Sequence, residues 1–180
     1  MSIAVIKANV TYAAVIASIG KKSFRDAFGN LFNSKEELFE YLEHTYDPVK
    51  LAKSLRKDSN VYFLALKHGA PAGFAKVKLH SLNEHIESIA QMELQKIYVL
   101  PEYQGKGAGA ALMEEVKRFV HDIHPDHLWL DTYISNERAI RFYEKNGFEK
   151  IGKDFFTIGT QTFYYYIMGM PVAIPIRTAC

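Results

Sequence analysis

The chain has 180 residues, of which 48% are hydrophobic and 23% are charged, and its formal net charge is +2. A chain of this length is expected to form one domain with a core of its own, and its composition excludes a disordered protein. Because the net charge is small, the sequence gives no reason to expect nucleic acid or an anionic membrane as a partner.

Cysteine usage and the N-terminal segment favour a cytoplasmic location. The last residue, Cys180, is the only cysteine, so neither an intrachain disulfide nor a cysteine-based metal site is expected. The first residues lack the apolar stretch and the small-residue cleavage site of a signal peptide. The longest apolar run, residues 13–19, is shorter than the roughly 20 residues that a membrane-spanning helix needs.

Hydrophobic periodicity predicts one strand and three helices at the start of the chain. Residues 3–7 alternate as in a short strand. The helices are predicted from Thr11 to about Ala27, from a cap at Asn33 or Ser34, and from Asp47-Pro48 to about Lys57.

The rest of the chain predicts strands separated by two helices. The order of all predicted elements indicates a single mixed α/β domain over residues 1–170, with a parallel strand–helix–strand unit at 89–132. The tail, residues 171–180, contains two prolines and is expected to be irregular. Strands are predicted at 61–66, 72–79, 89–99, 128–132, 148–158 and 161–168, and helices at 107–123 and from Ser135 or Asn136 to Asn146-Gly147.

A glycine-rich loop joins the strand at 89–99 to the helix with the strongest pattern. Gly105, Gly107 and Gly109 allow a tight turn and a close approach of the backbone to a ligand. The first N–H groups of a helix have no partner within it, and the helix dipole attracts anions to that end. The loop is therefore a candidate diphosphate site, and the residues assigned to it are Gln104, Gly105, Lys106, Gly107, Ala108, Gly109 and Ala110.

Two common phosphate-binding motifs do not fit this loop. It lacks the Gly-Lys-Ser/Thr ending of a nucleotide P-loop. It meets the glycine spacing of a dinucleotide-binding motif only in part, lies at the fourth strand–helix junction, and is not followed by a well-placed acidic residue about 20 positions later. The remaining alternative is a turn that only starts a helix.

The spacing Gln-x-x-Gly-x-Gly, met by Gln104, Gly107 and Gly109, resembles the corresponding loop of the GCN5-related N-acetyltransferases. The resemblance implies their fold, an α/β (α+β) architecture with a mixed sheet of about seven strands, flanking helices, and splayed fourth and fifth strands. It also implies that the loop N–H groups bind the pyrophosphate of acetyl-CoA. The preceding strand would then bind the pantetheine arm through the backbone of Ile97, Tyr98 and Val99.

A second segment is similar to another motif of the same family. Residues 136–148 match the pattern Asn-x-x-Ala-x-x-Phe-Tyr-x-x-x-Gly-Phe. The resemblance implies that the side chain of Asn136 contacts the pantetheine amide, and a helix N-cap is the alternative. Lys145 is a candidate for binding the adenosine 3′-phosphate, with a solvated lysine as the alternative. Phe142 is expected in the core. Acetyl-CoA is thus the expected cosubstrate.

Acetyl transfer to an amine needs a proton acceptor for the amine and a proton donor for the leaving thiolate, since an alkyl ammonium is mostly protonated at neutral pH. Tyr143 is the candidate acid, because a phenol can donate to sulfur and a tyrosine occupies this place in many family members. Glu93 is the candidate base, and is expected to share a strand face with Gln95, Ile97 and Val99. A buried helix face for Tyr143 and a solvated carboxylate for Glu93 are the alternatives.

The acceptor is predicted from the N-terminal helices. Glu36, Glu40 and Glu43 share one face of a predicted helix, and an acidic strip attracts a polycation; an ordinary solvated face is the alternative. The segment 24–55 resembles the bacterial PaiA-type polyamine acetyltransferases, which implies spermidine or spermine as the acceptor. The alternatives are acetylation of a peptide N-terminus, a lysine or a small amine drug, and a non-catalytic module that senses CoA.

Two further features bear on partners. Three histidines cluster at a helix end but lack enough convergent ligands, so no metal is expected; they are His121, His124 and His127. The apolar C-terminal strand and residues 171–176 are a candidate edge for a homodimer, and a small-molecule amine is the other expected partner.

Overall fold

The structure is a computed structural model, and residues 3–172 are described. These residues form seven strands and five α-helices in the predicted order, with short 3₁₀ turns at Val10–Tyr12, Gly29–Leu31 and Pro101–Tyr103. The elements are β1 (Ile3–Lys7), α1 (Ala13–Phe28), α2 (Lys35–Thr45), α3 (Pro48–Leu55), β2 (Asn60–Lys67), β3 (Ala70–Leu79), β4 (Gln91–Val99), α4 (Ala108–Ile123), β5 (His127–Tyr133), α5 (Glu137–Lys145), β6 (Glu149–Ile158) and β7 (Gln161–Pro171).

The strands form one mixed sheet in the order β1-β2-β3-β4-β5-β7-β6. All neighbouring pairs are antiparallel except β4 and β5, which are parallel and joined through α4. This confirms the predicted mixed sheet and the predicted parallel strand–helix–strand unit.

The parallel pair separates soon after it begins. Pairing between β4 and β5 runs only from Gln91 opposite His127 to Glu93 opposite Trp129. Beyond this point β4 remains paired with β3 and β5 with β7, so the sheet opens between its two central strands. The edge of β4 that faces the opening is therefore free to bind an extended ligand.

A bulge in β4 reverses its alternation inside the opening. On β3, Val77 lies opposite Leu94 and Lys76 lies opposite Lys96, so Gln95 has no partner in the register. The side chain of Gln95 accepts a hydrogen bond from Nζ of Lys76 at 2.5 Å, which stabilises the extra residue. As a result, odd-numbered side chains before the bulge point to the same face of the sheet as even-numbered side chains after it.

The bulge corrects one expectation. Because of the extra residue, Glu93 shares a sheet face with Lys96 and not with Ile97 or Val99. The prediction that Glu93 and Ile97 share a face is therefore wrong, since it assumed an unbroken two-residue period.

Each face of the sheet is covered by its own helices. One core lies under α4 and α5, and includes Leu112, Val116, Ile140 and Leu94. The other lies under α1, α2 and α3, and includes Ile16, Leu42, Tyr46, Leu51 and Phe74. None of the helices in residues 3–172 is long and apolar enough to cross a membrane.

Local signals set the helix starts. Ser34, Asp47 and Asn136 accept hydrogen bonds from backbone N–H groups of α2, α3 and α5, as helix caps do. At the other end of the chain, Pro171 belongs to β7, so the prediction that the tail is irregular from this residue on is wrong there. The remainder of the tail, from residue 173 on, lies outside the described residues, and so do Cys180 and residues 173–176 of the candidate dimer edge. The strand of that candidate edge is β7, which is paired with β5 on one side and β6 on the other, so it is not an edge of the sheet.

We expect Gly20→Ala to destabilise the protein, because a Cβ at this position in α1 would lie 2.3 Å from ring atoms of the fully buried Tyr46. The overpacking should lower the free energy of unfolding by about 1–3 kcal/mol, more than the gain in helix propensity offsets. Urea denaturation measures the effect. Ser18→Ala, on the exposed side of the same helix, is the control, and equal stability of the two variants would contradict the packing argument.

Candidate active site

A cleft of about 940 Å³ lies where β4 and β5 separate. It is lined from both faces of the sheet: α1 and α2 contribute on one side, and α4 and α5 on the other. The cleft is therefore continuous through the opening in the sheet. A ligand at one end can meet a second ligand that enters from the opposite face.

The start of α4 forms an anion-binding turn at one end of the cleft. Gly105 and Gly107 have φ angles of 70° and 91°, a backbone conformation that other residues adopt only with strain. Unlike α2, α3 and α5, this helix has no side-chain cap. Its first hydrogen bond runs from the N–H of Ala111 to the carbonyl of Gly107 at 3.0 Å, so the N–H groups of the first helical turn, residues 108–110, have no acceptor within the helix and can bind a diphosphate.

Most of the residues assigned to the site from the sequence line this one cleft. Three do not: Ala108 is fully buried in the core under α4, whereas Lys106 and Lys145 are exposed outside the lining. The residues brought together are Glu93, Ile97, Tyr98, Val99, Gln104, Gly105, Gly107, Gly109, Ala110, Asn136 and Tyr143.

Arg138 is a cleft residue that the sequence reasoning missed. Its guanidinium Nη1 donates a hydrogen bond to Oε1 of Gln104 at 2.7 Å, and Nε2 of Gln104 in turn donates to the carbonyl of Val99 at 3.3 Å. Arg138 thus ties α5 to the glycine turn and places a permanent positive charge beside it. The available signal was a basic residue inside the second motif, two positions after Asn136.

Asn136 is the N-cap of α5, which was the alternative role predicted for it. Its side-chain oxygen accepts a hydrogen bond from the N–H of Ala139 at 3.2 Å and so caps α5. The residue also lines the cleft, so its amide nitrogen is placed within the region where a cofactor arm would lie.

Tyr143 lies in the wall of the cleft on the α5 side. It is only 9% exposed and packs against the rings of Phe142 and Phe148. Burial, with a smaller contribution from the charge of Asp131, raises the pKa of the Tyr143 phenol well above its usual value. The phenol is therefore protonated at every working pH. Phe142, expected in the core, is only half-buried and also lines the cleft.

Glu93 is held in a fixed position at the base of the opening. It is 7% exposed, and its Oε2 accepts a hydrogen bond from the Ser81 hydroxyl at 2.7 Å. The carbonyl of Ser81 accepts a hydrogen bond from Nε1 of Trp129 at 2.8 Å. Glu93 is consequently anchored from both the loop after β3 and the strand β5.

Asp131 is a second carboxylate in the cleft, and the sequence reasoning did not single it out. It lies on β5 two residues beyond Trp129, the last β5 residue paired with β4. The side chain is open to the cleft, yet the cleft walls shield it from bulk water. This desolvation, together with the charge of Glu93, raises the pKa of Asp131 to about 6, although Lys96 opposes the shift.

Lys96 faces Asp131 and Glu93 from β4. Its Nζ lies 5.5 Å and 5.8 Å from the ring centroids of Tyr46 and Tyr98, within reach of cation–π attraction. Burial lowers the pKa of Lys96, and the charges of Asp131 and Glu93 oppose that shift. The structure thus sets one ammonium and two carboxylates on the same side of the opening.

The acids of α2 do not form the free strip that the sequence suggested. Glu43 is paired with Lys21 at 2.8 Å, and Glu36 accepts a hydrogen bond from the Ser34 hydroxyl. Glu37 accepts hydrogen bonds from the N–H and hydroxyl of Thr160. Glu40 and Glu37 line a smaller cavity of about 290 Å³, which shares Tyr41 and Phe156 with the main cleft.

Comparisons with known proteins agree with this geometry. The model of the acetyltransferase (GNAT) family matches residues 26–148. An N-acetyltransferase in the pepI 3′ region of Lactobacillus delbrueckii subsp. lactis is 27% identical over 143 residues, which cover 79% of this chain and 82% of the relative. Streptothricin acetyltransferase from Streptomyces lavendulae is 32% identical over 97 residues, which cover 54% of this chain but only 48% of that enzyme.

A solved structure shows the same architecture. The crystal structure of the PaiA N-acetyltransferase from Thermoplasma acidophilum, in complex with coenzyme A, superimposes with a TM-score of 0.76 at 20% identity. The match covers 95% of this chain and 99% of that protein. It confirms the predicted fold, including the seven-stranded mixed sheet.

We expect Arg138→Ala to weaken the binding of CoA, because it removes a charge beside the glycine turn and frees the Gln104 side chain. The dissociation constant should rise about tenfold, or ~1.4 kcal/mol, as for the loss of a charge-assisted hydrogen bond. Titration calorimetry with CoA measures this. Arg141→Ala is the control on the same helix, since Arg141 pairs with Glu137 at 2.9 Å on the exposed surface. Equal affinities in the two variants would contradict the role of Arg138.

Proposed function

The chain belongs to the acetyltransferase (GNAT) family and is an acetyl-CoA-dependent N-acetyltransferase, and we propose that its acceptor is a primary amine with further positive charges, such as spermidine or spermine. The observation that carries this proposal is the charge of the acceptor side of the cleft. Acidic side chains from four different elements line it: Asp26, Glu93, Asp131 and Asp154.

The register of the sheet explains why these acids converge. Asp131 on β5 and Glu93 on β4 lie on the same face, because Glu93 is opposite Trp129 and Asp131 follows Trp129 by two residues. Asp154 on β6 lies opposite Tyr165 of β7, and Tyr165 lies opposite Tyr133 of β5. The carboxylates of three strands therefore face α1 and α2 rather than the core under α4.

Aromatic rings fill the space between the acids. Tyr41, Tyr133, Tyr165 and Phe28 line the same side of the cleft as Asp131. A chain of methylene groups packs on such rings while its ammonium groups meet the carboxylates or the π faces. The adjoining small cavity, with Glu37 and Glu40, extends this acidic and aromatic groove beyond the main cleft and suits a long acceptor.

A second candidate acceptor is an amine antibiotic. The similarity to streptothricin acetyltransferase at 32% identity favours it, and a bulky polyamine compound would meet the same acids. Acetylation of a peptide N-terminus or a lysine is a further alternative. A module that binds CoA without turnover is disfavoured by Tyr143, whose phenol lies in the cleft where a proton donor is required.

The residues of the chain are proposed to divide the work as follows. The N–H groups at the start of α4, with Gln104 and Arg138 beside them, bind the pyrophosphate. The free edge of β4 at Ile97 and Val99 holds the pantetheine arm through its backbone. Tyr143 donates a proton to the leaving sulfur, and the acids on the opposite side bind the amine. Glu93 stays a candidate base.

We expect Tyr143→Phe to lower kcat by about 10- to 10⁴-fold, as the loss of a general acid does. Binding of acetyl-CoA should persist, because the ring that packs on Phe142 and Phe148 is retained. Release of CoA thiol measures the rate, and calorimetry measures binding. Tyr164→Phe is the control, since Tyr164 is 57% exposed on β7. An unchanged kcat in Tyr143→Phe would exclude the acid role.

We expect a screen of amines to show a preference for polycations. Spermidine and spermine should have a higher kcat/KM than n-butylamine, which presents the same reactive group without further charges. The preference should shrink at high salt, because it depends on screened charges. The screen includes peptides with free N-termini, lysine and aminoglycosides, and is followed by thiol release. Turnover of peptides without turnover of polyamines would overturn the polyamine proposal.

A further inference from the structure

We propose that Asp131 is the residue that takes the proton from the acceptor ammonium, and that Glu93 acts through Asp131 as a positioning residue. This inference rests on the proposed function, in which the acceptor enters from the side of α1 and α2. It assigns to β5 a step that the sequence placed on β4.

The location of Asp131 is the first argument. The hydrogen-bonded contact of β4 with β5 ends at Trp129, and Asp131 is the next residue of β5 on the same face. It therefore lies at the point where the sheet begins to open. Tyr143 approaches the opening from α5 on the other face, and the charge of Asp131 is felt by its phenol. The proposed acid and base thus lie on opposite sides of the gap in which the acetyl group must react.

The freedom of Asp131 is the second argument. One oxygen of Glu93 accepts the Ser81 hydroxyl hydrogen bond, and the side chain is 7% exposed. The carboxylate of Asp131, by contrast, is exposed to the cleft and makes no hydrogen bond or ion pair with the side chains and backbone of residues 3–172, although its backbone pairs with Ile167 of β7. An incoming ammonium can reach Asp131 directly from the cleft, whereas Glu93 is almost fully buried and one of its oxygens is already engaged by Ser81.

The surrounding charges are the third argument. The cleft walls shield Asp131 from bulk water, and this desolvation, together with the charge of Glu93, raises the pKa of Asp131 to about 6, while Lys96 opposes the shift. A base with a pKa just below the working pH is ionised yet accepts a proton readily. The titratable groups that face Asp131 from the elements around it are Glu93, Lys96, Asp154, Tyr41, Tyr98, Tyr143 and Tyr165.

The proposed transfer moves two protons from the acceptor nitrogen and one acetyl group from sulfur to nitrogen. The acceptor ammonium gives one proton to the Asp131 carboxylate, which later releases it to solvent. The neutral nitrogen attacks the thioester carbonyl carbon, so that the C–N bond forms and the C–S bond breaks. The leaving sulfur takes a proton from the Tyr143 hydroxyl. The second proton lost by the nitrogen restores that hydroxyl, and the products are the acetamide, CoA thiol and one proton.

The experiment is a pH profile of kcat/KM for three variants, with benzylamine as a probe that is protonated at neutral pH. In the wild type the rate should rise with pH through the pKa of Asp131 and then level off. Asp131→Asn should lower kcat/KM by about 10²- to 10³-fold at neutral pH, and the rate should continue to rise toward the pKa of the amine itself. Glu93→Gln should move the rise to lower pH, and Lys96→Gln should move it to higher pH, because each removes a charge of known sign.

A second probe separates proton transfer from other defects. Trifluoroethylamine is mostly neutral at neutral pH and has no ammonium proton for Asp131 to remove, so Asp131→Asn should affect it much less than benzylamine. Asp58→Asn, in an exposed turn, is the matched control for both probes. The inference would be overturned if Asp131→Asn kept the wild-type pH profile, or if the rise of kcat/KM with pH were lost in Glu93→Gln instead. Either result would leave the proposed acetyl transfer intact. No thiol release with any amine would overturn the proposed function, and the inference with it.

Thermal stability gives a readout that needs no turnover. Because folding raises the pKa of Asp131 from 3.8 to about 6, the folded state binds more protons between these values, and stability falls as pH rises through them. The stability of Asp131→Asn relative to that of the wild type should therefore be higher at about pH 7.5 than at about pH 4.5. A loss of stability that is equal at both pH values would mark a merely structural role and would contradict the assignment.

Discussion

The early end of the pairing between β4 and β5 is the constraint on which the rest of the structure depends. Three residue pairs, from Gln91 with His127 to Glu93 with Trp129, hold the two halves of the sheet together at this seam. Past them, backbone donors and acceptors of β4 face a cleft rather than a strand. Buried peptide groups without partners are costly, so this edge is stable only where solvent or a ligand can reach it. The cleft is therefore required by the way the sheet is built.

The bulge at Gln95 allows one strand to serve two substrates. Before the bulge, Glu93 faces the acceptor side and Leu94 the core under α4; after it, Lys96 faces the acceptor side and Ile97 that core. The strand thus presents polar groups to one ligand while its backbone edge and apolar side chains serve the other. A regular strand would place these functions on the wrong faces, because a shift of one residue reverses every side chain.

The sequence was informative wherever the cause of a feature is local. The caps at Ser34, Asp47 and Asn136 depend on a few neighbouring residues, and the glycine turn depends on backbone conformations that Gly105 and Gly107 adopt without strain. Element order and the parallel unit followed from periodicity in the same way. These are the parts of the fold and the site that could be predicted.

The sequence failed where the cause lies on another strand or helix. The bulge is visible only in the register with β3, so the face of Glu93 could not be deduced from β4 alone. Asp131 is one acid in the segment Leu-Trp-Leu-Asp-Thr-Tyr, and its importance comes from the place where pairing ends. The acids of α2 resemble a free strip, but Glu43 is neutralised by Lys21, which lies 22 residues earlier on α1.

The glycine that starts α4 has a consequence for the protein when no ligand is bound. At other helix starts a serine or aspartate typically adds about 1 kcal/mol to stability as a cap, whereas Gly107, whose φ of 91° other residues adopt only with strain, provides no such side chain. A ligand that binds these N–H groups and the free edge of β4 supplies the missing partners and binds only the folded chain. By mass action, the fraction of chains that stay folded then depends on the concentration of CoA and its thioesters. The amount of active enzyme in a cell would in this way follow the supply of the substrate that it consumes.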